Sequence, residues 1–141
     1  MAATVDKKSI SQELAQRLVD AAAAKAREIG VPMCIAVCDE SGNLKAFTRM
    51  DGAALLSIGV AQDKAYTAVG FGMPTSQWHD FIKGDPPLAA GVVGAIPRLI
   101  IFAGGNPIMV DGQLVGGIGV SGGHYSQDQQ CVDAALAIVG R

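Results

Sequence analysis

The stretch from Gly104 to Gly123 constrains this chain most, because glycine recurs through it and few side chains remain to fill space. Asp111-Gly112 separates two apolar runs, a pattern typical of a tight β-hairpin turn. Glycine within strands permits either another backbone or a ligand to approach the main chain closely. The sequence leaves both explanations open: close packing at a helix or subunit contact, and a binding cleft.

The composition indicates one domain that associates with copies of itself. A chain of 141 residues suits a single domain spanning residues 1–141. Hydrophobic residues make up 50% of the chain and charged residues only 17%, so we expect a homo-oligomer in which other subunits cover apolar surface. The net charge of −2 and the lack of a basic run make nucleic acid a poor partner. The charged first twenty residues predict neither a signal peptide nor a membrane span, and hence a cytoplasmic protein without membrane contact.

The three cysteines are expected to be reduced and buried. Cys34 and Cys38 lie four positions apart on one predicted strand, roughly 13 Å at the usual rise per residue, which is too far for a disulfide. Cys131 falls in a predicted helix. The sequence has no C-x-x-C pair and only two histidines, so we predict no zinc or non-haem iron centre.

Hydrophobic periodicity predicts helices alternating with antiparallel strands. Predicted helices cover 9–29, with Ser9 and Gln12 as a capping box, then 53–70, then 75–82, and finally a helix opening at Ser126. Predicted strands cover 33–39, 44–49, 98–103, 107–110 and 113–120. Residues 88–97 are small and apolar and fit neither pattern clearly. Five strands in two antiparallel groups indicate the α+β class.

Seven ordered blocks of sequence carry a family resemblance that runs from about residue 8 to residue 139. They are 35–39 with Gly42, 49–53, 61–68, 74–75, 104–108, 111–112 and 116–123, followed by Asp128 and Cys131. With these blocks the chain resembles the GlcG/HbpS family of small haem-binding and haem-degrading-type proteins. The same domain also forms the C-terminus of one type of corrinoid adenosyltransferase.

This resemblance implies a profilin-like fold of α/β/α layers with a five-stranded antiparallel sheet. It further implies assembly into dimers or larger rings, up to octamers. Family members bind haem, occur in glycolate and aromatic catabolic operons, or accompany cobalamin enzymes. A small-molecule ligand, with haem as one candidate, is therefore the expected partner, while the reaction, if any, stays open.

Two basic residues are candidates for handling an acid group. Arg49 follows the second strand together with Asp51, and a guanidinium there suits a bidentate carboxylate. Alternatively, Asp51 caps the next helix and Arg49 pairs with a surface acid. Lys64 lies on an alanine-lined helix face, either snorkelling to solvent or facing a pocket as base or nucleophile. Tyr66 and Thr67, which lie next to Lys64 in the chain, are weaker candidates.

The two histidines are the strong axial ligands for haem iron that the chain offers. Trp78-His79 together could clasp a planar ligand by stacking and ligation, although a surface histidine on a short helix explains His79 equally well. His124 follows Gly122-Gly123 at the predicted start of the last helix, where free amides favour an anion. An exposed loop histidine is the alternative there.

Three functions compete on this evidence. The first is a protein that binds haem, or another planar acid-bearing ligand, in a cleft between the second helix and residues 104–121, with Arg49 on the acid. The second is a cofactor-independent lyase, isomerase or tautomerase in which Arg49 binds a carboxylate and Lys64 or His124 transfers protons. The third is a non-catalytic assembly protein. The full candidate set is Arg49, Asp51, Lys64, Thr67, Trp78, His79, Gly104, Gly105, Ser121, Gly122, Gly123 and His124.

Overall fold

A computed structural model describes residues 1–139 and contains five helices and four strands within them. In chain order the elements are α1 (Gln12–Ile29), β1 (Cys34–Asp39), β2 (Leu44–Arg49), α2 (Leu55–Phe71), α3 (Trp78–Ile82), α4 (Pro86–Ala95), β3 (Gly105–Val110), β4 (Gln113–Ser121) and α5 (Tyr125–Leu136). Single 3-10 turns precede α3 and follow α5. No helix among the described residues combines the length and the apolar character needed to cross a bilayer.

The strands form one antiparallel sheet in the order β2-β1-β4-β3. Cys34 at the start of β1 pairs with Arg49 at the end of β2 and with Ser121 at the end of β4. Gly105, which begins β3, pairs with Gly119. The register therefore gathers the end of β2, the end of β4 and the start of β3 at one end of the sheet.

Helices cover both faces of the sheet, giving the expected α/β/α layers. Alternate residues of β1 point to opposite faces. Ile35 and Val37 pack in the larger core with α1 and α5, whereas Ala36 and Cys38 pack against α2. This two-sided burial explains why the sequence of β1 is almost continuously apolar.

The predicted strand over residues 98–103 is wrong, and the sheet has four strands rather than five. The Thr67 hydroxyl of α2 donates to the Arg98 carbonyl at 3.0 Å and accepts from the Ile100 amide at 3.0 Å. Arg98 has a left-handed φ of 67°, which is incompatible with regular strand backbone. The apolar segment 98–103 thus follows the surface of α2. The Thr67 side chain makes hydrogen bonds that a neighbouring strand would otherwise make.

Helix starts also differ from the sequence expectation. Ser11 rather than Ser9 caps α1, accepting from the Leu14 amide at 3.1 Å. His124 rather than Ser126 caps α5, and Asp51 does not cap α2, whose N-cap residue is Ala54. The ambiguous segment 88–97 lies largely within α4.

Glycines in the sheet allow α2 to lie directly on it. A Cβ atom built on Gly119 would lie 2.0 Å from the Ala61 carbonyl oxygen, and one on Gly117 would lie 2.4 Å from that of Ala65. Real Cβ atoms do not approach backbone this closely, so any side chain at these positions would push the helix away. Most glycines of the sheet therefore allow the close packing of α2, as at Gly105, Gly117 and Gly119.

Candidate functional site

Helix packing fills the place where the sequence analysis put a cleft, between α2 and residues 104–121. At Gly105 a Cβ atom would lie 2.6 Å from the Lys64 carbonyl oxygen, and at Gly104 it would lie 2.4 Å from the Lys64 ammonium nitrogen. Ser121 is buried in the ladder beside Cys34. The predicted cleft is consequently replaced by direct contact between α2 and the sheet.

Side chains also take the main-chain donors that had been expected to meet a ligand. The Gly104 amide donates to Gln129 at 3.0 Å, and the Gly105 amide donates to the Thr75 hydroxyl at 3.0 Å. The Gly123 amide donates to Asp128 Oδ1 at 3.0 Å. These three amides hold the loops in place and are not free for an anion.

Lys64 is enclosed in an ion pair at the same end of the sheet. Its Nζ lies 2.7 Å from Asp128 Oδ2 and 2.9 Å from the Val120 carbonyl oxygen, and its side chain is 0% exposed. The ring of Phe102 covers the ammonium at 5.1 Å from its centroid. Burial lowers the pKa of Lys64, with the Asp128 carboxylate opposing that shift. This nitrogen is therefore closed to a substrate in the structure.

Arg49 and Asp51 lie apart from the glycine loop. Arg49 is exposed and donates to the Ala53 carbonyl oxygen from Nε at 3.3 Å and from Nη2 at 3.0 Å. Asp51 is exposed in the turn that follows β2. Strand β1 lies between β2 and β4 in the sheet, and it separates the turn after β2 from the loop after β4. Arg49 organises its own turn in this structure.

An open groove of about 460 Å³ collects aromatic and titratable side chains from distant parts of the chain. It is lined by Ser76, His79, Asp80, Ile101, Phe102, Ala103 and Tyr125. The Phe102 and Tyr125 ring centroids lie 6.2 Å apart, and the His124 ring lies 4.0 Å from that of Tyr125. Of the two histidines nominated from the sequence, His79 lines the groove, and His124 packs beside the groove residue Tyr125.

His124 has a defined hydrogen-bonding role as a helix cap. Its Nδ1 accepts from the Ser126 amide at 3.2 Å, and Gln127 Oε1 accepts from the His124 amide at 3.0 Å. Because a backbone amide can only donate, Nδ1 is the acceptor and the hydrogen of the neutral ring resides on Nε2. His124 thus offers an N–H donor, which suits an acid oxygen better than a metal ion.

His79 and Trp78 do not act as one clasp, because they point in different directions. His79 is exposed and lines the groove. Trp78 is 3% exposed and packs on Phe71 and Phe81, at centroid distances of 5.0 and 5.7 Å. The structure separates these neighbours as expected for adjacent residues of a helix.

Phe102 and Tyr125 are the two aromatic groove residues that the sequence analysis missed, and of the seven lining residues it named only His79 as a candidate. Phe102 was assigned to a strand interior, and Tyr125 was not considered. No short-range pattern identifies them, since 22 positions separate them and only the fold of the 98–104 segment onto α5 makes them neighbours. Across residues 1–139 no group of three or more His, Cys, Asp or Glu side chains is placed to hold a metal ion.

Comparisons with known proteins agree on one family. Residues 10–137 match the family model of HbpS-like haem degrading proteins. A 15.0 kDa protein from the dhaT-dhaS intergenic region of Citrobacter freundii is 34% identical over 128 residues, covering 91% of this chain and 90% of that protein.

Two solved structures extend the comparison to three dimensions. A double mutant of HbpS from Streptomyces reticuli superposes with a TM-score of 0.86 at 32% identity, covering 100% of this chain and 97% of that chain. A PduOC:haem complex superposes with a TM-score of 0.83 at 30% identity, covering 94% of this chain and 96% of that chain.

Proposed function

The chain belongs to the family of HbpS-like haem degrading proteins, and from that premise we propose that it binds haem, or another planar ligand bearing an acid group, in the groove between α3 and the start of α5. The haem complex of PduOC supports haem as the ligand class. The observation that carries the proposal is that His79, Phe102 and Tyr125 line one open groove, with the His124 ring 4.0 Å from that of Tyr125.

The residues around the groove fit the chemistry of haem. His79 is exposed on the groove wall and would serve as the axial ligand to iron. Phe102 and Tyr125 offer apolar ring faces for a porphyrin plane. His124 presents its Nε2–H for a propionate or another carboxylate, because its Nδ1 is engaged in capping α5.

The buried ion pair of Lys64 and Asp128 lies beneath the groove and stabilises it. Lys64 packs under Phe102, and its partner Asp128 binds the Gly123 amide immediately before His124. Lys64 therefore fixes the aromatic wall and the loop that carries the acid-binding histidine. When bound, haem would supply an iron centre whose reactivity depends on its axial ligand and surroundings.

Copies of the chain are proposed to cover the apolar surface that one chain leaves open. Large hydrophobic side chains are well exposed on α2 and on α3 and α4, including Leu55 at 72%, Leu56 at 81%, Phe81 at 53% and Val93 at 51%. Exposed apolar area of this extent is typical of subunit contacts. A mass by light scattering equal to a multiple of the 14.4 kDa chain is the expected result, and a monomer would contradict it.

Titration with haemin under a visible spectrum tests the ligand and the histidine roles together. The wild-type protein should produce a saturable Soret shift, and His79→Ala should abolish the spectrum of the nitrogen-ligated form. His124→Asn keeps a capping side chain and should retain the ligated spectrum with weaker haem affinity.

For each measurement, the opposite outcome would contradict the proposal. A wild-type protein without any Soret shift would remove haem as the ligand. Unchanged spectra in His79→Ala would remove the groove as its site. Arg49→Met serves as the matched control, because Arg49 lies away from the groove and its loss should leave haem binding intact.

A further inference from the structure

We propose that a separate cavity beside Trp78 binds a small neutral compound with one ring and one carbonyl oxygen, which accepts the indole hydrogen. The cavity has a volume of about 240 Å³ and lies between α2, α3 and the segment that follows α4. Its walls include Thr67, Gly70, Phe71, Trp78, Ile96 and Leu99. Trp78 lines this cavity, whereas its neighbour His79 lines the groove proposed for haem, so the two sites are distinct.

An unpaired donor inside the protein points to a ligand with an acceptor. Trp78 is 3% exposed, and its Nε1 donates to no acceptor among residues 1–139. Buried polar hydrogens are almost always paired, because leaving one unpaired forfeits its hydrogen bond to water. Tryptophan in an apolar wall with a free N–H is suited to hold a ligand by its ring face and by one hydrogen bond.

The polar and charged surroundings of the cavity favour a neutral ligand. The Thr67 hydroxyl both donates to Arg98 and accepts from Ile100. No charged side chain of residues 1–139 lines the cavity, and the neighbouring Arg98 guanidinium is held by Asp63 at 2.8 Å and stacks on Tyr66 at 4.0 Å. A charged ligand would lose its hydration here without gaining a counter-ion.

The size of the cavity favours a single ring. Dry apolar cavities of about 150 Å³ accept benzene, and sites for drug-sized molecules begin at about 300 Å³. A cavity of 240 Å³ falls between these values. A cyclic ketone, an aromatic aldehyde or a small ester matches both the volume and the unpaired indole donor.

We infer that the ligand reaches the indole nitrogen when the exposed Phe71 side chain turns aside. The nitrogen is covered in the structure, and the Phe71 ring packs 5.0 Å from the indole ring. Phe71 ends α2 and is 57% exposed, so turning it aside sacrifices little buried contact. The bound carbonyl group would then occupy the space beside the indole that Phe71 vacates.

Trp78 is the sole tryptophan of the chain, so its indole N–H gives one resolved proton–nitrogen resonance. Titration with cyclohexanone should move this resonance downfield and saturate. Methylenecyclohexane has the same shape without the oxygen and should produce no such downfield shift. Neither compound is aromatic, so ring currents from the ligand cannot imitate the effect.

Two glycines of α2 provide matched variants that block the cavity or leave it open. A Cβ atom built on Gly70 or on Gly59 meets nothing within 4 Å, and Gly70 lines the cavity whereas Gly59 does not. Gly70→Leu should abolish the cyclohexanone response and Gly59→Leu should preserve it. By calorimetry, Trp78→Phe should reduce the preference for the ketone over the alkene about tenfold, the value of one net hydrogen bond.

A wild-type resonance that does not respond, or one that responds equally to both compounds, would overturn the proposal. Equal responses in Gly70→Leu and Gly59→Leu would place any binding elsewhere. None of these measurements involves haem, so they are independent of the outcome at the groove.

Discussion

Lys64 Nζ lies 2.7 Å from Asp128 Oδ2, and this ion pair joins the two helical layers around one end of the sheet. Lys64 belongs to α2 and Asp128 to α5, which cover opposite faces. The same ammonium explains Gly104, where φ is 116° and a Cβ atom would lie 2.4 Å from Nζ. Lys64, a catalytic candidate from the sequence, therefore links the two helical layers in the folded protein.

Loss of the lysine should strongly destabilise the protein. Lys64→Met leaves the Asp128 carboxylate buried without its partner, and the free energy of unfolding should fall by about 3–5 kcal/mol. Urea denaturation measures this, with Lys83→Met as the control, since Lys83 is 58% exposed beside Asp80 and an exposed pair contributes about 0–1 kcal/mol. Equal losses in the two variants would show that the buried pair has no special structural role.

Adding one methyl group at Gly119 should also destabilise the fold. Gly119→Ala would bring Cβ to 2.0 Å from the Ala61 carbonyl oxygen, and we expect a loss of about 1–3 kcal/mol from overpacking. Gly59→Ala is the matched control on α2, where nothing lies within 4 Å and alanine should stabilise the helix by up to about 1 kcal/mol. Thermal unfolding of both variants shows whether each substitution raises or lowers the stability. A Gly119→Ala variant as stable as wild type would contradict the close-packing explanation.

Two substitutions of His124 distinguish its role as a helix cap from its proposed role in ligand binding. His124→Ala removes the side-chain acceptor for the Ser126 amide and should cost about 1 kcal/mol of stability. His124→Asn supplies another capping acceptor and should stay close to wild type in chemical denaturation. If the alanine variant is as stable as the asparagine variant, the cap contributes nothing measurable.

The thiols should be inert until the protein unfolds. All three cysteines are buried and unpaired by disulfides, and burial raises the pKa of Cys38 and of Cys131 to about 11. Reaction requires the thiolate, so at about pH 8 a disulfide reagent should label the native protein very slowly. Denatured protein should yield three thiols per chain, and rapid labelling of native protein would show that these sites open readily.

Much of the fold could be read from local patterns. The continuous apolar run of β1, the Asp111-Gly112 hairpin and the helical spacing of α1 each predicted their element correctly, with boundary shifts of a few residues. The failure at residues 98–103 has a specific cause: the Thr67 side chain satisfies the backbone there, and an apolar strand-like run then needs no strand partner. No window of sequence around residue 100 contains that threonine.

The sequence by itself determined the α+β class and the antiparallel hairpins, because periodicity and turn residues act between near neighbours in the chain. Its ordered sequence blocks determined the family, and the resemblance implied the layers. Only the tertiary structure decided what the glycines were for, where Lys64 pointed and which side chains share a groove. Those outcomes depend on contacts such as Lys64 with Asp128 and Phe102 with Tyr125. Their free energies arise from burial and close approach, which exist only after distant segments have packed together.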